Sequence, residues 1–478
     1  MNSFSKEKNY ILIDFGSTFT KAALISSKEK AVIYSTKTPS TVSEDAGIGL
    51  NVCYERIRRE VGSAIFNSAR KLATSSAAGG LRMIVVGLTY NQSVLAGKNA
   101  ACCAGARIIS TYGGFLTEAD IAHIDSSDAE IILMCGGYED GNKTGVIHNA
   151  KMLGLLRNNI PVIYSGNGSV ITEVRTNMTA RGKTCYVIDN IIPRLNEVNS
   201  APAVELIREI FMKRIVNMKG LDSIRTELDE VVMPTPMAVL KAGELLSYGT
   251  DKYAGLGELM IVDVGGATTD VYSYSEPVVL NNAKYVGVPE PYSKRTVEGD
   301  LGMRESALNV ISEIGYEAAA ESIGINADLL NKSINMRVEN KKFLPEECNA
   351  FEKEIDHYIA SKAVHIASRR HAGHIEDVHS SVCKQIQYGK DLSDISLVIG
   401  TGGQIVNSQK PYEILGEVAI SEVDEKVNRL MPVSCELKID SDYILYAAGL
   451  LSRIDPDTAF SIICKSINKE PIYNSMHK

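Results

Sequence analysis

Two stretches of the chain share one design, and that duplication constrains the fold more than any other feature. In LMIVDVGGATTDVYS, Leu259 to Ser273, four apolar residues lead into Asp263 and the turn of Gly265 and Gly266. After Thr268, Thr269 and Asp270, the alternating Val271, Tyr272 and Ser273 run back. In YILIDFGSTFTKAALI, Tyr10 to Ile25, Ile11, Leu12 and Ile13 end in Asp14, the turn Gly16-Ser17-Thr18 follows, and Lys21 to Ile25 returns. Each stretch reads as a buried strand, a tight turn and a returning strand. Such a turn exposes several backbone N–H groups at once, and glycine lets an anion approach the backbone closely. Each is therefore a candidate phosphate grip, and a carboxylate ending the incoming strand is placed to hold Mg²⁺ through water. Two such hairpins, about 250 residues apart, imply two related halves facing one ligand.

The remaining composition narrows the class. A chain of 478 residues is too long for one core and predicts two to four domains. It has no run of about eighteen apolar residues, and MNSFSKEKNY has no signal-peptide core, so a cytoplasmic location is expected. A net charge of −8 without a Lys or Arg block argues against nucleic acid or an anionic membrane as partner. The nine cysteines (53, 102, 103, 135, 185, 348, 383, 435 and 464) show no CxxC spacing, which fits reduced thiols rather than zinc or iron–sulfur ligands. The adjacent Cys102 and Cys103 read as small residues packed among alanines.

Between the hairpins the texture changes. After a strand at Ala31 to Lys37, Gly47 to Ala73 carries helix-period apolar residues. From about Gly80 to Asn196, short apolar strands (Leu81–Leu88, Ala106–Ser110, Ile131–Cys135, Pro161–Ser165, Cys185–Ile188) alternate with amphipathic helices. That alternation predicts an inserted, doubly wound parallel α/β domain. Its loop Gly136 to Thr144 approaches a P-loop, but Asn142 intrudes before Lys143 and would misplace the ammonium. A glycine-rich loop at the carboxyl end of a strand is the simpler reading. A helix follows over Ala203 to Met218.

In MPTPMAVLKAGELLSYG, Met233 to Gly249, prolines set a helix start, and Ala238, Ala242 and Gly243 give a slim face. Its expected partner is DYILYAAGLLSRI, where Ala447, Ala448 and Gly449 are equally slim. SLVIGTGGQIV, Ser396 to Val406, is a strand followed by Gly400, Gly402 and Gly403, where a flat base can lie against backbone. The histidines at 357, 365, 371, 374 and 379 cluster, but RRHAGH reads as solvated and lacks an acidic co-ligand, so no metal site is expected there. No Gly-x-Ser-x-Gly elbow anchors a hydrolase triad.

Hairpin, proline-led slim helix, hairpin, glycine-rich strand end and slim helix occur in the order of the five motifs of the actin, hexokinase and heat-shock-chaperone ATPase superfamily, which this chain resembles. DFGSTFTK looks like the first phosphate motif, MPTPMAVLKAG the first connecting helix, DVGGATTDV the second phosphate motif, VIGTGGQIV the adenosine motif and YAAGLL the second connecting helix. The resemblance implies duplicated actin-like (ribonuclease H-like) ATPase halves binding ATP and Mg²⁺. By it, residues 1–79 and 197–250 form the first half, 80–196 the inserted doubly wound domain, and 251–478 the second half.

Site roles follow from the same resemblance. Asp14 and Asp263 are the catalytic carboxylates and, with Asp270, the metal shell. Gly16, Ser17, Thr18, Lys21, Gly265, Gly266, Thr268 and Thr269 hold the phosphates, and Gly400, Gly402 and Gly403 lie near adenosine. Where the chaperones have a glutamate before Pro-Thr, this chain has Met233, which implies slow hydrolysis.

SSAAGGLRM (Ser75–Met83), GNKTGVIHNAKML (Gly141–Leu153), IPVIYSGN (Ile160–Asn167) and RTVEGDLGMR (Arg295–Arg304) add a closer resemblance, to the MutL/GlmL family. These are accessory proteins of adenosylcobalamin-dependent glutamate mutase and related mutases. The resemblance implies an ATP-dependent reactivating factor that exchanges damaged cobalamin on a mutase partner, with the insert as contact domain, and it leaves room for a homodimer. The Asp-x-His-x-x-Gly cobalamin signature is missing, since Asp120 and His123 are three apart, and tight cobalamin binding is not expected. Competing readings are a small-molecule kinase of the same superfamily and an actin-like structural ATPase. Dehydratase activators share the fold but need cysteines bridging an iron–sulfur cluster, for which the scatter here offers no clear equivalent.

Overall fold

The computed structural model describes residues 8–42, 44–76, 81–216, 228–340, 343, 349–378 and 384–468. Part of the SSAAGGLRM motif, Cys348, Cys383 and His379 lie outside the described residues.

The chain opens with β1 (Asn9–Phe15) turning back into β2 (Phe19–Ser26) and then β3 (Ala31–Pro39). The helix Ala46–Ser68 crosses over to β4 (Arg70–Ser75), which pairs parallel to β1. A second sheet of β5 (Arg82–Gly87), β6 (Arg107–Gly113), β7 (Ile131–Gly136), β8 (Val162–Gly166) and β9 (Cys185–Val187) follows. The helix Ala201–Val216 then returns the chain to β10 (Glu230–Pro234), which completes the first sheet beside β4.

The later part repeats this plan. There β11 (Leu259–Val264) and β12 (Thr269–Tyr274) form a hairpin. The strands β13 (Ala283–Val286), β15 (His374–Asp377) and β16 (Gln385–Tyr388) make a small side sheet. Beside the hairpin lie β14 (Ser293–Glu298), β17 (Leu397–Thr401) and β18 (Glu436–Ile439).

The duplication is visible in strand order. The first sheet runs β10-β4-β1-β2-β3 and the later one β18-β17-β11-β12-β14. In each, three antiparallel strands are followed by two parallel to the first. This is the actin-like, ribonuclease H-like sheet, made twice. The insertion falls between the fourth and fifth strands of the first copy, and its sheet is wholly parallel in the doubly wound order β6-β5-β7-β8-β9.

The apolar runs at β1 and β11 exist because both faces of those strands are covered. Ile11, Ile13 and Phe15 face one cluster and Tyr10 and Leu12 another, as the two-residue period of a strand requires. The second cluster also holds Leu259, Ile261 and both connecting helices, Thr235–Tyr248 and Leu445–Leu451. These helices cross as expected. A side chain at Gly449 would collide with the Ala238 carbonyl, and Gly243 lies under the Tyr274 ring. Among the described residues no helix is long and apolar enough to cross a membrane.

Some local expectations are corrected. The helix expected over Gly47 to Ala73 ends at Ser68, with a non-helical Gly62, and Arg70–Ser75 is a strand. Leu72 continued the helical period by coincidence, but it is fully buried in the sheet. The prolines do set the helix start, Pro234 as the N-cap and Pro236 in the first turn, but Met233 belongs to the strand Glu230–Pro234 and the helix begins at Thr235. RRHAGH is not a solvated segment: His371 is fully buried, between Ser273 Oγ (2.8 Å) and Thr296 Oγ1 (2.8 Å).

Candidate functional site

The two hairpins turn identically. Gly16 N donates to Phe19 O (3.0 Å) and Gly265 N to Thr268 O (2.9 Å). Among the described residues, the N–H groups of Ser17, Thr18, Gly266 and Ala267 find no protein acceptor, so each tip presents two free donors. The tips face each other: a methyl group built on Gly266 would lie 3.4 Å from Thr18 Oγ1. Between and beneath them is a cavity of about 500 Å³. It is lined by both turns, by Thr235, Pro236 and Val239 of the first connecting helix, and by Gly403, Gln404 and Asn407 beyond β17.

In the first half the aspartate is saturated. Asp14 is 2% exposed and takes Lys21 Nζ at 2.8 Å, Thr235 Oγ1 at 2.6 Å and Thr74 Oγ1 at 3.1 Å. Lys21 lies directly across the hairpin from Asp14 and beneath the Tyr443 ring, 3.8 Å from its centroid. Burial opposes the Lys21 charge, but Asp14, Tyr443 and Tyr446 outweigh it and hold the ammonium above the usual lysine range.

In the second half the aspartate is open. Asp263 pairs across its hairpin with Asp270, a like charge, and among the described residues it has neither an ion pair nor a hydrogen-bond donor to its carboxylate. Burial, reinforced by Asp270 and only partly offset by Lys21, pushes the Asp263 carboxyl up to about 7. Asp270 is neutralised separately. Arg295 grips its Oδ1 from Nε (3.0 Å) and Nη2 (2.6 Å), and Thr268 donates to its Oδ2 (3.0 Å). Arg295 also reaches the Cys102 carbonyl in the insert at 2.6 Å.

A cation with bound phosphates fits this donor set: one uncompensated carboxylate at the cavity wall, four N–H groups without a protein acceptor among the described residues and a cavity of about 500 Å³. Asp263 is the residue that could hold Mg²⁺, with Asp14 and Asp270 behind it.

Of the residues singled out in the sequence, Asp14, Gly16, Ser17, Thr18, Lys21, Asp263, Gly265, Gly266, Thr268, Asp270 and Gly403 line the cavity. Thr269, Gly400 and Gly402 stand behind the lining. Thr269 Oγ1 donates to Leu301 O (2.6 Å). Gly400 is enclosed by Ile405, Leu415 and Ile439. Gly402, at φ +90°, brings backbone against Asp263, where a methyl group would sit 2.6 Å from Oδ1. Met233 is fully buried in the core, so the position before Pro-Thr offers the cleft no polar group. Asn142 Oδ1 accepts Gly145 N (2.9 Å) just before the helix Thr144–Gly154.

Sequence reasoning missed Thr74, Thr235, Arg295, Arg304, Tyr443 and Tyr446. Thr235, both arginines and both tyrosines sit inside the stretches quoted, and only their partners were invisible. The insert also contributes Arg82, Gly105, Arg107 and Asp128 to the lining. Cys102 and Cys103 are confined to packing: burial raises both thiols, that of Cys103 to about 12.

The family model described as MutL protein matches residues 10–467. Protein MutL of Clostridium tetanomorphum is 40% identical over 468 residues, covering 96% of this chain and 99% of that one. Among solved structures, the activator of the 2-hydroxyisocaproyl-CoA dehydratase from Clostridium difficile with bound ADPNP superposes with a TM-score of 0.31 and 9% identity over 94% of this chain and 95% of its own. A glycerol dehydratase reactivase gives 0.34 and 11% over 94% and 99%. The duplicated strand order, rather than these distant superpositions, carries the fold.

Proposed function

Because the chain belongs to the MutL family, we propose that it is an ATP-driven reactivating factor that exchanges damaged cobalamin on an adenosylcobalamin-dependent mutase, glutamate mutase or an aminomutase. The observation that carries this reading is the pair of hairpin tips, each with free N–H donors, facing across one cavity that holds an unpaired Asp263. ATP supplies the phosphoryl group whose loss separates two states of the protein, and magnesium neutralises its oxygens.

The chain's own residues do the rest. The turns at Gly16–Thr18 and Gly265–Thr268 grip phosphate from opposite sides, so occupancy draws the two halves together. Asp14, held by Lys21, Thr74 and Thr235, is a fixed anchor. Asp263, whose carboxyl is pushed up to about 7 by burial and Asp270 in the absence of metal, is the open carboxylate at the cavity wall, available to a proton or to Mg²⁺. With Met233 buried there is no second acidic group before Pro-Thr to orient the attacking water, which supports slow turnover. A slow clock suits a factor that must hold a partner open while a cofactor leaves. The insert, which lines the cleft yet is foreign to the duplicated halves, is the surface proposed to meet the mutase in the cytoplasm.

The test is to incubate inactivated adenosylcobalamin mutases with the protein, ATP, Mg²⁺ and fresh cofactor. Activity should recover only with hydrolysable nucleotide and all components present. Recovery of no mutase, with a phosphorylated small molecule formed instead, would replace this reading by the kinase.

A further inference from the structure

Five cationic side chains line the cavity: Lys21, Arg82, Arg107, Arg295 and Arg304. Four are matched by carboxylates: Lys21 by Asp14 (2.8 Å), Arg82 by Asp128 (3.0 Å), Arg295 by Asp270 (2.6 Å) and Arg304 by Asp356 (2.8 Å). Arg107 has no carboxylate partner among the described residues. Its guanidinium makes one hydrogen bond, from Nη2 to Gly299 O at 3.1 Å, and keeps its remaining donors.

Its place is specific. Arg107 opens β6 at the end of the inserted sheet that meets the cleft, in register with Arg82. Gly299 follows Glu298, which pairs with Thr269 of the second hairpin. The guanidinium therefore lies beside the turn Gly265–Thr268. The same Gly299 carbonyl accepts Ser306 Oγ (2.8 Å), which ties this spot to the loop under the turn. The guanidinium lies close over Gly299, where a methyl group would sit 2.7 Å from Arg107 Nε.

We propose that Arg107 is the inserted domain's contribution to the nucleotide site, a ligand for the terminal phosphate of ATP that lets the insert distinguish ATP from ADP. This rests on the nucleotide reading above and deepens it. An arginine fork matches phosphate oxygens bidentately, and one that is already half-buried and unpaired forms such bonds without first breaking an ion pair. Loss of the terminal phosphate removes the bond, so the insert's tie to the second half changes with nucleotide state.

The experiment is calorimetric titration of Mg-ATP and Mg-ADP into the full chain and into Arg107→Ala, Arg107→Gln and Arg107→Lys, with thermal midpoints measured alongside. The Ala and Gln variants should lose about 10- to 100-fold in ATP affinity. Their ADP affinity should stay within about twofold, and Lys should restore part of the loss. Unchanged ATP affinity, or equal losses for both nucleotides, would overturn the role of Arg107 while leaving the nucleotide site standing. A full chain that binds neither nucleotide would overturn the nucleotide reading and this inference with it.

Discussion

Lys21 and Asp270 occupy the same register position in the two hairpins, each directly across from the aspartate of the incoming strand, yet they carry opposite charges. The duplicated grips are therefore chemically unequal. Across from Lys21, Asp14 is a neutralised, hydrogen-bonded post. Across from Asp270, Asp263 keeps an unfavourable charge and so an appetite for a proton or a metal.

Asp263→Asn should separate activity from stability. Without that carboxylate, ATP hydrolysis should fall by about 100-fold or more, read as phosphate release. The sign of the stability effect follows from the raised carboxyl. Its contribution is fully present below the ordinary value near 4 and is lost as pH rises towards about 7. The metal-free variant should therefore match the parent near pH 4 and exceed its thermal midpoint at pH 8. A variant with normal turnover would refute the metal assignment.

Magnesium should compete with that same proton. Affinity for Mg²⁺ in the presence of nucleotide should rise by up to about tenfold per pH unit below 7 and level off above it. Titrations at pH 6, 7 and 8, in buffers of different ionisation enthalpy, would show proton release that vanishes at the upper end. Affinity that does not change with pH would remove Asp263 from the metal shell.

Arg295→Ala leaves Asp270 buried without its partner and the Cys102 carbonyl without its donor. Breaking a buried pair from one side destabilises by about 3–5 kcal/mol. Urea unfolding should show that loss, and adding Asp270→Asn should recover part of it. If the double variant is no more stable than Arg295→Ala, the ion pair is not the source.

Gly449→Ala should be disproportionately harmful for one methyl group. The new carbon would strike the Ala238 carbonyl, which is backbone and cannot rotate away. Helix separation should lower stability by about 1–3 kcal/mol, and it should weaken ATP binding because the cleft walls part with the helices. A denaturation midpoint equal to the parent's would show that the crossing has slack.

Much of this site was legible because its determinants are local. Asp14, the turn at Gly16 and Lys21 lie within one hairpin, and so do Asp263, Gly265 and Asp270, and strands buried on both faces announce themselves as apolar runs. What stayed hidden depends on distant partners. Thr235 was in plain view, but that it completes Asp14 from 221 residues away is a fact of packing. The strand Arg70–Ser75 was masked because Leu72 fell on a helical period, and His371 looked exposed only because its neighbours are charged. Arg107 carried no motif at all. Its significance appears only when the other four cations of the cavity are seen to be spent.

The insert is joined to its neighbours in two different ways. Underneath, Ile11, Ile13 and Phe15 of β1 share a single apolar cluster with Val85, Leu133 and Cys135 of the inserted sheet, a seam that is welded. Towards the second half the seam is mixed: Arg295 on the Cys102 carbonyl, Arg107 on the Gly299 carbonyl and Asn99 on Glu290 are polar fastenings, while Val288 joins the same apolar cluster and Cys103 packs against the cluster of Tyr272 and Tyr274. The insert is thus a keystone seated against both jaws, and any change in their separation must load one of its two seams.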